Sequence, residues 1–406
     1  MHPLDLLGEW VAALRWSDVP ADVQHRAALT FRDTLGTMAG GARTVSGRIA
    51  SEFAAAAPSD VHSTFAAAVH ASALDFDDGH YRGGAIHPAS VVVPSLLVAA
   101  GVNPAGAQPT ATDEMLTAQV AGYEVGLRAA HLLWPKHPLD DYHCTGTAGA
   151  IAAAVAVAKL RGGDADQVRR AIAIAWAHAP MSTFQLPMVK ESIGWSAATG
   201  RAAADLAAAG FMRLSRPSSS PIDATFTPTP FHRAGAMHDP FVASLGTVFE
   251  AGNTYFKPYA ACRYTHTAAR SVQAFGVAAN DVQAIEVHTH RGAVDLSDLR
   301  PASLDHAQYS FPFVLATMVL TGALGADELS DDALDDQARL ALAARVSVHH
   351  DPALDAEYPA HYGARTVVRT TDGSVLEETR LVAPGDAADP MSDAELLVKY
   401  QRLTNA

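Results

Sequence analysis

The segment 73–90, with the sequence ALDFDDGHYRGGAIHPAS, concentrates titratable side chains in a chain that is otherwise rich in alanine. Its charged and imidazole-bearing residues are Asp75, Asp77, Asp78, His80, Arg82 and His87. Carboxylates and imidazoles are the groups that most often move protons in enzymes or orient the groups that do so. The segment therefore indicates acid–base chemistry.

Polar and titratable side chains recur where predicted helices begin. They are His87 before Pro88, His143 before Thr145, Lys190 ahead of GWSAATG, Lys257, Arg263 and His266 around THTAARSVQAF, and His306, Gln308 and Tyr309 before SFPFVLATMVL. Helix N-termini carry unpaired N–H groups and a partial positive charge, so they favour anions. Any single histidine here fits a structural role equally well. Together the clusters predict a binding site for a small polyanion, provided that these helix starts lie close together in the fold.

Two other histidine pairs are weaker candidates for a site. His288 and His290 lie two apart on a predicted strand and would face the same way, as metal ligands can. No third ligand is identifiable, so an exposed strand face is the favoured interpretation. His349 and His350 would face opposite sides of a strand. The sequence also lacks the GxGxxG, P-loop, HExxH and GxSxG motifs, so it gives no support for a nucleotide-binding protein or a serine hydrolase.

Composition limits the classes of function. The chain has 406 residues and a formal net charge of −14, which argues against nucleic acid or an anionic membrane as the main partner. Its two cysteines, Cys144 and Cys262, form no CxxC pair, which is typical of a reducing compartment without disulfides or iron–sulfur clusters. No secretory signal or membrane-spanning run is apparent. We therefore expect a soluble, cytoplasmic protein.

The elements that must position these residues are mostly helices. Alanine-rich helical patterns fill the first half, and one of them has Ser17 and Asp18 as candidate caps. After about residue 282 alternating runs predict strands, including a hairpin around Asp372–Gly373. Ser392 and Glu395 predict a capping box for a last helix that packs on the helical part. The predicted domains are 1–267 completed by 391–406, which is all-helical, and 268–390, which is α+β.

Several of these segments resemble the MmgE/PrpD family, which includes 2-methylcitrate dehydratase, cis-aconitate decarboxylase and iminodisuccinate epimerase. ALDFDD with the later HPAS is similar to the family's ALDFDD…HPS signature. HCTGTAGAIAAAVAVAKLRGGD, TYFKPYAACRYTHTA, AQYSFPFVLA and PGDAADPMSDAELLVKY are similar to further family segments. The resemblance implies a mainly α protein with a large all-helical domain, a smaller α+β lid domain, and usually a homodimer.

The resemblance also implies an active site that needs no metal or organic cofactor. Carried over residue by residue, the family's site positions fall on Asp75, His87, His143, Lys190 and Lys257, with Cys262, Arg263, His266 and Gln308 as further substrate-binding candidates. His87 and His143 would act as acid and base. The lysines would bind or polarise carboxylates, and Lys190 is also a catalytic candidate for proton transfer. Asp75 would orient a histidine or lysine. Departures from the family pattern are Gly79, where threonine is common, and Phe313, where tyrosine is common.

Three functions remain open at this level. The favoured one is a lyase that eliminates water, or else carbon dioxide, from a small polycarboxylate or hydroxy acid. An epimerase of a small dicarboxylate would need the same residue types, because two groups would remove and return one proton. A non-catalytic binding protein on the same fold is the third. All of them share a small anionic carboxylate as the ligand.

Overall fold

The computed structural model describes residues 3–82, 86–102, 110–133, 144–180, 189–211 and 229–405. Contacts divide the chain into two compact units. The first unit comprises Met1–Ala73, Asp77–Thr254 and Leu396–Ala406, and the second comprises Leu74–Phe76 and Tyr255–Glu395. Helices dominate and the strands form one small sheet, so the prediction of a mainly α protein is confirmed.

The first unit is built from helices. In chain order they are α1 (Pro3–Ala13), α2 (Ala21–Gly41), α3 (Val45–Ala56), α4 (Asp60–Ser72), α5 (Ala89–Ala99), α6 (Asp113–Leu133), α7 (Cys144–Leu160), α8 (Ala165–His178), α9 (Val189–Ala208) and α10 (Pro240–Ala243). Within the described ranges none of the helices is long and apolar enough to cross a membrane.

Helix α7 lies at the centre of the first unit. Every residue from Cys144 to Ala158 is buried, and α7 contacts α6, α8 and α9. A Cβ on Gly126 of α6 would lie 2.5 Å from the Cβ of Ala152, and one on Gly200 of α9 would lie 2.5 Å from the oxygen of Ala150. These distances are too short for a side chain, so the helices approach closely because both positions are glycine.

The start of α2 differs from its prediction. Ser17 and Asp18 do not cap the helix, because they belong to a preceding 3₁₀ turn, Trp16–Asp18. The Asp18 carboxylate accepts a hydrogen bond from the backbone N–H of Arg15 at 2.9 Å. Helix α2 begins at Ala21 directly after Pro20, whose ring fixes a φ suited to a helix start. The helix ends at Gly41.

The last helix returns to the first unit. Helix α16 (Asp393–Thr404) has the predicted capping box, with Ser392 N–H donating to Glu395 Oε2 at 2.8 Å and Glu395 N–H donating to Ser392 Oγ at 3.3 Å. Lys399 Nζ lies 2.9 Å from Oδ1 of Asp33 on α2. Burial raises the pKa of Asp33 although Lys399 opposes the shift. This buried ion pair therefore ties the last helix to the second helix of the chain.

The second unit combines helices with a four-stranded sheet. Its helices are α11 (His266–Phe275), α12 (Leu304–Ala307), α13 (Phe311–Thr321), α14 (Gln337–Ala343) and α15 (Pro352–Asp355), and its strands are β1 (Val282–Thr289), β2 (Val346–His350), β3 (Ala364–Thr370) and β4 (Val375–Arg380). The strand order is β2-β1-β3-β4. Strands β1 and β2 are parallel, and the other two pairs are antiparallel.

Helices pack against this sheet. Val282, Ile285 and Val287 of β1 are buried, α11 contacts β3, and α13 contacts β2. Strands β3 and β4 form the predicted hairpin, in which Gly373 has a φ of 87°. Asp372 Oδ1 accepts a hydrogen bond from Ser374 N–H at 3.0 Å, as is common in turns that begin with aspartate. The hairpin prediction is therefore confirmed.

His290 corrects one of the sequence-based interpretations. It follows β1 and is buried rather than exposed. Its ring stacks on Tyr358 with centroids 4.5 Å apart and meets Tyr264 edge-on at 4.8 Å. Neither ring nitrogen has a hydrogen-bond partner among the residues that the structure describes. Burial lowers the pKa of His290 to about 4. The ring is therefore a neutral member of an aromatic cluster.

We expect His290→Phe to be less sensitive to acid than the wild type. The ring has a pKa of about 4 when folded but about 6.5 in an unfolded chain. The folded state therefore binds this proton less well, and stability that is present above pH 6.5 is lost as the pH falls towards 4. The loss is about 1.4 kcal/mol per pH unit, and phenylalanine does not titrate.

Urea unfolding at about pH 7.5 and about pH 5 measures this difference. Between the two conditions the free energy of unfolding of the wild type should fall by about 2 kcal/mol more than that of the variant. Equal falls in both proteins would contradict a neutral, buried His290.

Candidate active site

The predicted site residues are distributed over both units. Asp75, Lys257, Cys262, Arg263, His266 and Gln308 belong to the second unit, and His87 belongs to the first. His143 lies outside the described residues. Lys190 was predicted to lie ahead of a helix, but α9 begins at Val189 and includes it in its first turn. That prediction was wrong because the helical pattern was read only from Gly194 onwards.

Asp75 and Lys257 form a buried ion pair in the second unit. Lys257 Nζ lies 2.6 Å from Asp75 Oδ1 and also donates to the backbone oxygen of Asp75 at 3.0 Å. The Lys257 side chain is fully buried and that of Asp75 is 6% exposed. A buried ammonium is stable only when a carboxylate and further acceptors surround it, and Asp75 supplies both kinds of acceptor.

The backbone at Asp75 is in an unusual conformation. Its φ is +47°, and no other non-glycine residue in the described ranges has a positive φ. Aspartate and asparagine tolerate this left-handed region better than other side chains do, although it still costs free energy. Such strain often occurs at functional sites, where the surrounding structure enforces it. The Lys257 contacts to the side chain and main chain of Asp75 provide that enforcement.

Cys262 and Gln308 meet through their main chains. The N–H of Cys262 donates to the carbonyl oxygen of Gln308 at 2.9 Å, and both residues are buried. Burial, together with the negative charge of Asp75, raises the pKa of the Cys262 thiol to about 12. The thiol is therefore neutral near neutral pH and is not a nucleophile, because the thiolate is the reactive form.

Arg263 and His266 form hydrogen bonds within the second unit. Arg263 Nη1 donates to the oxygen of Pro384 at 2.7 Å and lies 3.2 Å from His266 Nδ1. Since a guanidinium can only donate, Nδ1 of His266 is the acceptor. The other ring nitrogen, Nε2, then carries the hydrogen that donates to the oxygen of Ala261 at 3.1 Å. Both nitrogens of His266 are thus engaged in holding this segment in place.

His87 is anchored in the first unit by its main chain and its ring. Its N–H donates to Thr145 Oγ1 at 3.1 Å, in the first turn of α7. Nδ1 lies 2.7 Å from the carbonyl oxygen of Asp78. A carbonyl only accepts, so Nδ1 must carry the hydrogen, and in the neutral ring Nε2 is the nitrogen that can accept a proton. The side chain is 12% exposed.

Asp78 and Tyr123 are contacts of this site that the sequence did not assign. Asp78 Oδ1 accepts the N–H of Ala89 at 3.0 Å, and Oδ2 accepts the hydroxyl of Tyr123 at 2.8 Å. Asp78 stood out as a titratable residue, but its partner lies 45 positions further along the chain. No local pattern around Tyr123 points to this contact.

These contacts also change the interpretation of the helix starts. At α5 the N–H of Ala89 is taken by the Asp78 carboxylate. At α13 the N–H of Phe313 is taken by Ser310 Oγ at 3.1 Å. At these two starts the protein itself therefore satisfies N–H groups that were predicted to be open to an external anion.

His80, the other histidine of the 73–90 segment, forms a separate buried pair. Its Nε2 lies 3.2 Å from Glu250 Oε2, and its backbone N–H donates to the oxygen of Ile86 at 3.1 Å. Burial raises the pKa of Glu250, but hydrogen bonds from His80 and Asn253 outweigh it and lower that pKa to about 2. Glu250 is therefore ionised, and the pair fixes the base of the segment that leads to His87.

Asp77 and His87 of the first unit are of the types that bind metal ions. Nδ1 of His87 carries a hydrogen for the oxygen of Asp78 and is therefore not available as a metal ligand.

Comparison with known proteins covers most of the chain. Residues 5–221 match the MmgE/PrpD N-terminal domain, and residues 259–406 match the MmgE/PrpD C-terminal domain. Similar proteins include the cis-aconitate decarboxylase-like protein oryM of Aspergillus oryzae, which is 26% identical over 98% of this chain and 90% of its own length. A cis-aconitate decarboxylase of Aspergillus terreus is 24% identical over 98% and 88%, respectively. The one from Homo sapiens is 25% identical over 93% and 83%.

Proposed function

The chain belongs to the MmgE/PrpD family, and from that membership we propose that it is a lyase that acts on a small polycarboxylate without a cofactor. The observation that carries this proposal is the way His87 is held. Its Nδ1–H is committed to the oxygen of Asp78, which leaves Nε2 as the nitrogen for proton transfer. A fixed tautomer in a partly exposed ring is what a general acid or base requires.

Cis-aconitate, the substrate in the names of the similar proteins, indicates the class of substrate. These relatives are only 24–26% identical to this chain, so the proposal is limited to di- and tricarboxylates of this size. The reaction is either loss of carbon dioxide or loss of water. Both reactions build up negative charge on a carbon next to a carboxylate.

The two reactions use the same groups in different orders. In dehydration a base takes the proton next to the carboxylate, the electron pair forms a double bond, and the hydroxide leaves with a proton from an acid. In decarboxylation the bond to the departing carboxylate breaks, its electron pair stays on the neighbouring carbon, and an acid protonates that carbon. Imidazole serves as base and as acid near neutral pH, so His87 fits either reaction.

Positive charge must accompany this proton transfer. Lys257 supplies a fixed ammonium, and Asp75 fixes the position of that ammonium at 2.6 Å. Preorganised charges of this kind stabilise a developing anion because they do not have to reorient during the reaction. His143 and Lys190, whose side chains lie outside the described part of the chain, complete the proposed set.

Proton NMR in D₂O tests the proposal directly. The protein is mixed separately with cis-aconitate, citrate and malate, and the spectra are followed over time. New vinyl signals or loss of a carbon would support a lyase, with His87→Gln as the inactive control. Exchange of a substrate proton for deuterium without a new double bond would instead identify an epimerase. Unchanged spectra for all three compounds would contradict the proposal for this class of substrate.

A further inference from the structure

We propose that Asp78 and Tyr123 are positioning residues for His87 and that the ionised form of Asp78 is needed to hold the His87 ring in its active orientation. This inference rests on the proposed function of His87 as an acid–base group. It assigns a role to two residues that lie outside the set implied by the family resemblance.

Asp78 contacts both His87 and the start of the helix that follows it. Its carbonyl oxygen accepts the Nδ1–H of His87 at 2.7 Å. Its carboxylate Oδ1 accepts the N–H of Ala89, two residues further on, at 3.0 Å. One residue thus fixes the ring through its main chain and fixes the start of α5 through its side chain. A rotation of the His87 ring would break the first contact, and a shift of α5 would break the second.

Tyr123 holds the Asp78 carboxylate in place. Its hydroxyl donates to Asp78 Oδ2 at 2.8 Å, and both side chains are buried. Each oxygen of the carboxylate therefore accepts one hydrogen bond from a different helix, α5 or α6. The two donors suit an ionised carboxylate, since a proton on either oxygen would remove one of the two acceptors.

The charges around Asp78 are mostly negative. Asp77 precedes it in the chain, Asp33 approaches from α2, and Lys399 on α16 pairs with Asp33. Asp77 Oδ2 lies 3.7 Å from His87 Nδ1 and has no hydrogen-bond partner among the described residues. Burial, and to a smaller extent Asp77 and Asp33, raise the pKa of Asp78 to about 7, although Ala89 N–H and Tyr123 lower it.

Because the pKa of Asp78 is about 7, its carboxylate becomes protonated in the neutral pH range. Above that pH the carboxylate accepts both hydrogen bonds and its charge favours the N-terminus of α5. Below it, protonation removes the charge and one acceptor. We therefore expect kcat to fall as the pH is lowered, with a midpoint near pH 7. The cause of this fall would be protonation of Asp78, which does not itself touch the substrate.

Tyr123→Phe tests the role of the phenol hydroxyl. Because the hydrogen bond from Tyr123 favours the ionised form, its loss should raise the pKa of Asp78. We expect the acid limb of the kcat profile to move upward by about 1 pH unit, so that kcat is about fivefold lower than in the wild type at pH 7 and about equal at pH 9. Asp78→Asn cannot ionise at this position, so at every pH its kcat should be as low as that of the wild type at acid pH.

Tyr362→Phe is the matched control, because it removes a hydroxyl that is equally buried but belongs to the second unit. It should leave the acid limb where it is. A Tyr123→Phe enzyme whose kcat is lowered by the same factor at all pH values would overturn the proposal, and so would an unshifted limb.

Long-range ¹H–¹⁵N NMR of histidine-labelled protein gives a readout that does not depend on turnover. In its neutral form the His87 ring should carry its hydrogen on Nδ1, and Asp78→Asn should lose this single tautomer. If no substrate is turned over but the tautomer behaves in this way, the proposed function fails and the positioning role stands. A mixture of tautomers in the wild type would overturn the positioning role itself.

Discussion

Replacing His87 by glutamine should lower kcat about 10²–10⁴-fold, the usual contribution of a positioned acid–base group, and should change stability little. Glutamine retains a donor that can reach the oxygen of Asp78, so the main contact of Nδ1 can be replaced. It cannot accept and return a proton near neutral pH. Rates measured by NMR and melting curves from the same preparation separate the two effects.

His131→Gln is the control for this experiment. His131 belongs to the same unit, is partly exposed, and bonds through Nδ1 to a main-chain oxygen, that of Arg82, at 2.9 Å. Loss of a comparable imidazole outside the site should leave kcat within about twofold. If His87→Gln retains most of its turnover, or if both variants lose turnover equally, then His87 is not the proton-transfer group.

Replacing Lys257 by methionine should lower the free energy of unfolding by about 3–5 kcal/mol, because it leaves the Asp75 carboxylate buried without its counter-ion. Lys257 is fully buried and Asp75 nearly so, so water cannot take the place of the ammonium. Turnover should also be lost, since the fixed positive charge is gone. Urea unfolding at neutral pH measures the stability change.

A second substitution distinguishes stability from chemistry. The Lys257→Met/Asp75→Asn variant removes both charges, and asparagine tolerates the φ of +47° at this position. It should be more stable than Lys257→Met alone and should still lack turnover. Arg365→Met, which breaks an exposed pair with Glu377 in the same unit, should cost less than about 1 kcal/mol. If the double variant is no more stable than the single one, the unpaired carboxylate is not the cause of the loss.

Much of the fold follows from local patterns. The hairpin around Gly373 and the capping box of Ser392 and Glu395 were predicted because each depends on residues a few positions apart. The start of α2 was predicted wrongly because Ser17 and Asp18 belong to a separate 3₁₀ turn, and the helix begins only after Pro20. Where local chemistry offers two adjacent starts, the sequence alone does not decide between them.

Contacts that join distant segments were not predictable in the same way. The resemblance pointed to Asp75 and Lys257, which lie 182 positions apart and form an ion pair, although their roles remain predictions. Tyr123 has no motif of its own and was missed. His290 was read as exposed because its burial depends on tyrosines at positions 264 and 358. A polar residue's partners become visible only when the packing of other segments is known.

The order of synthesis determines when the ion pair between Asp33 and Lys399 can form. The two residues are 366 positions apart, and at roughly 5–20 residues per second a ribosome needs about 20–70 s to synthesise the chain between them. All segments of the second unit emerge before Lys399 does. The pair between Asp33 and Lys399 can therefore form only after every segment of the second unit has been made. The synthesis of α16 then completes the helical unit.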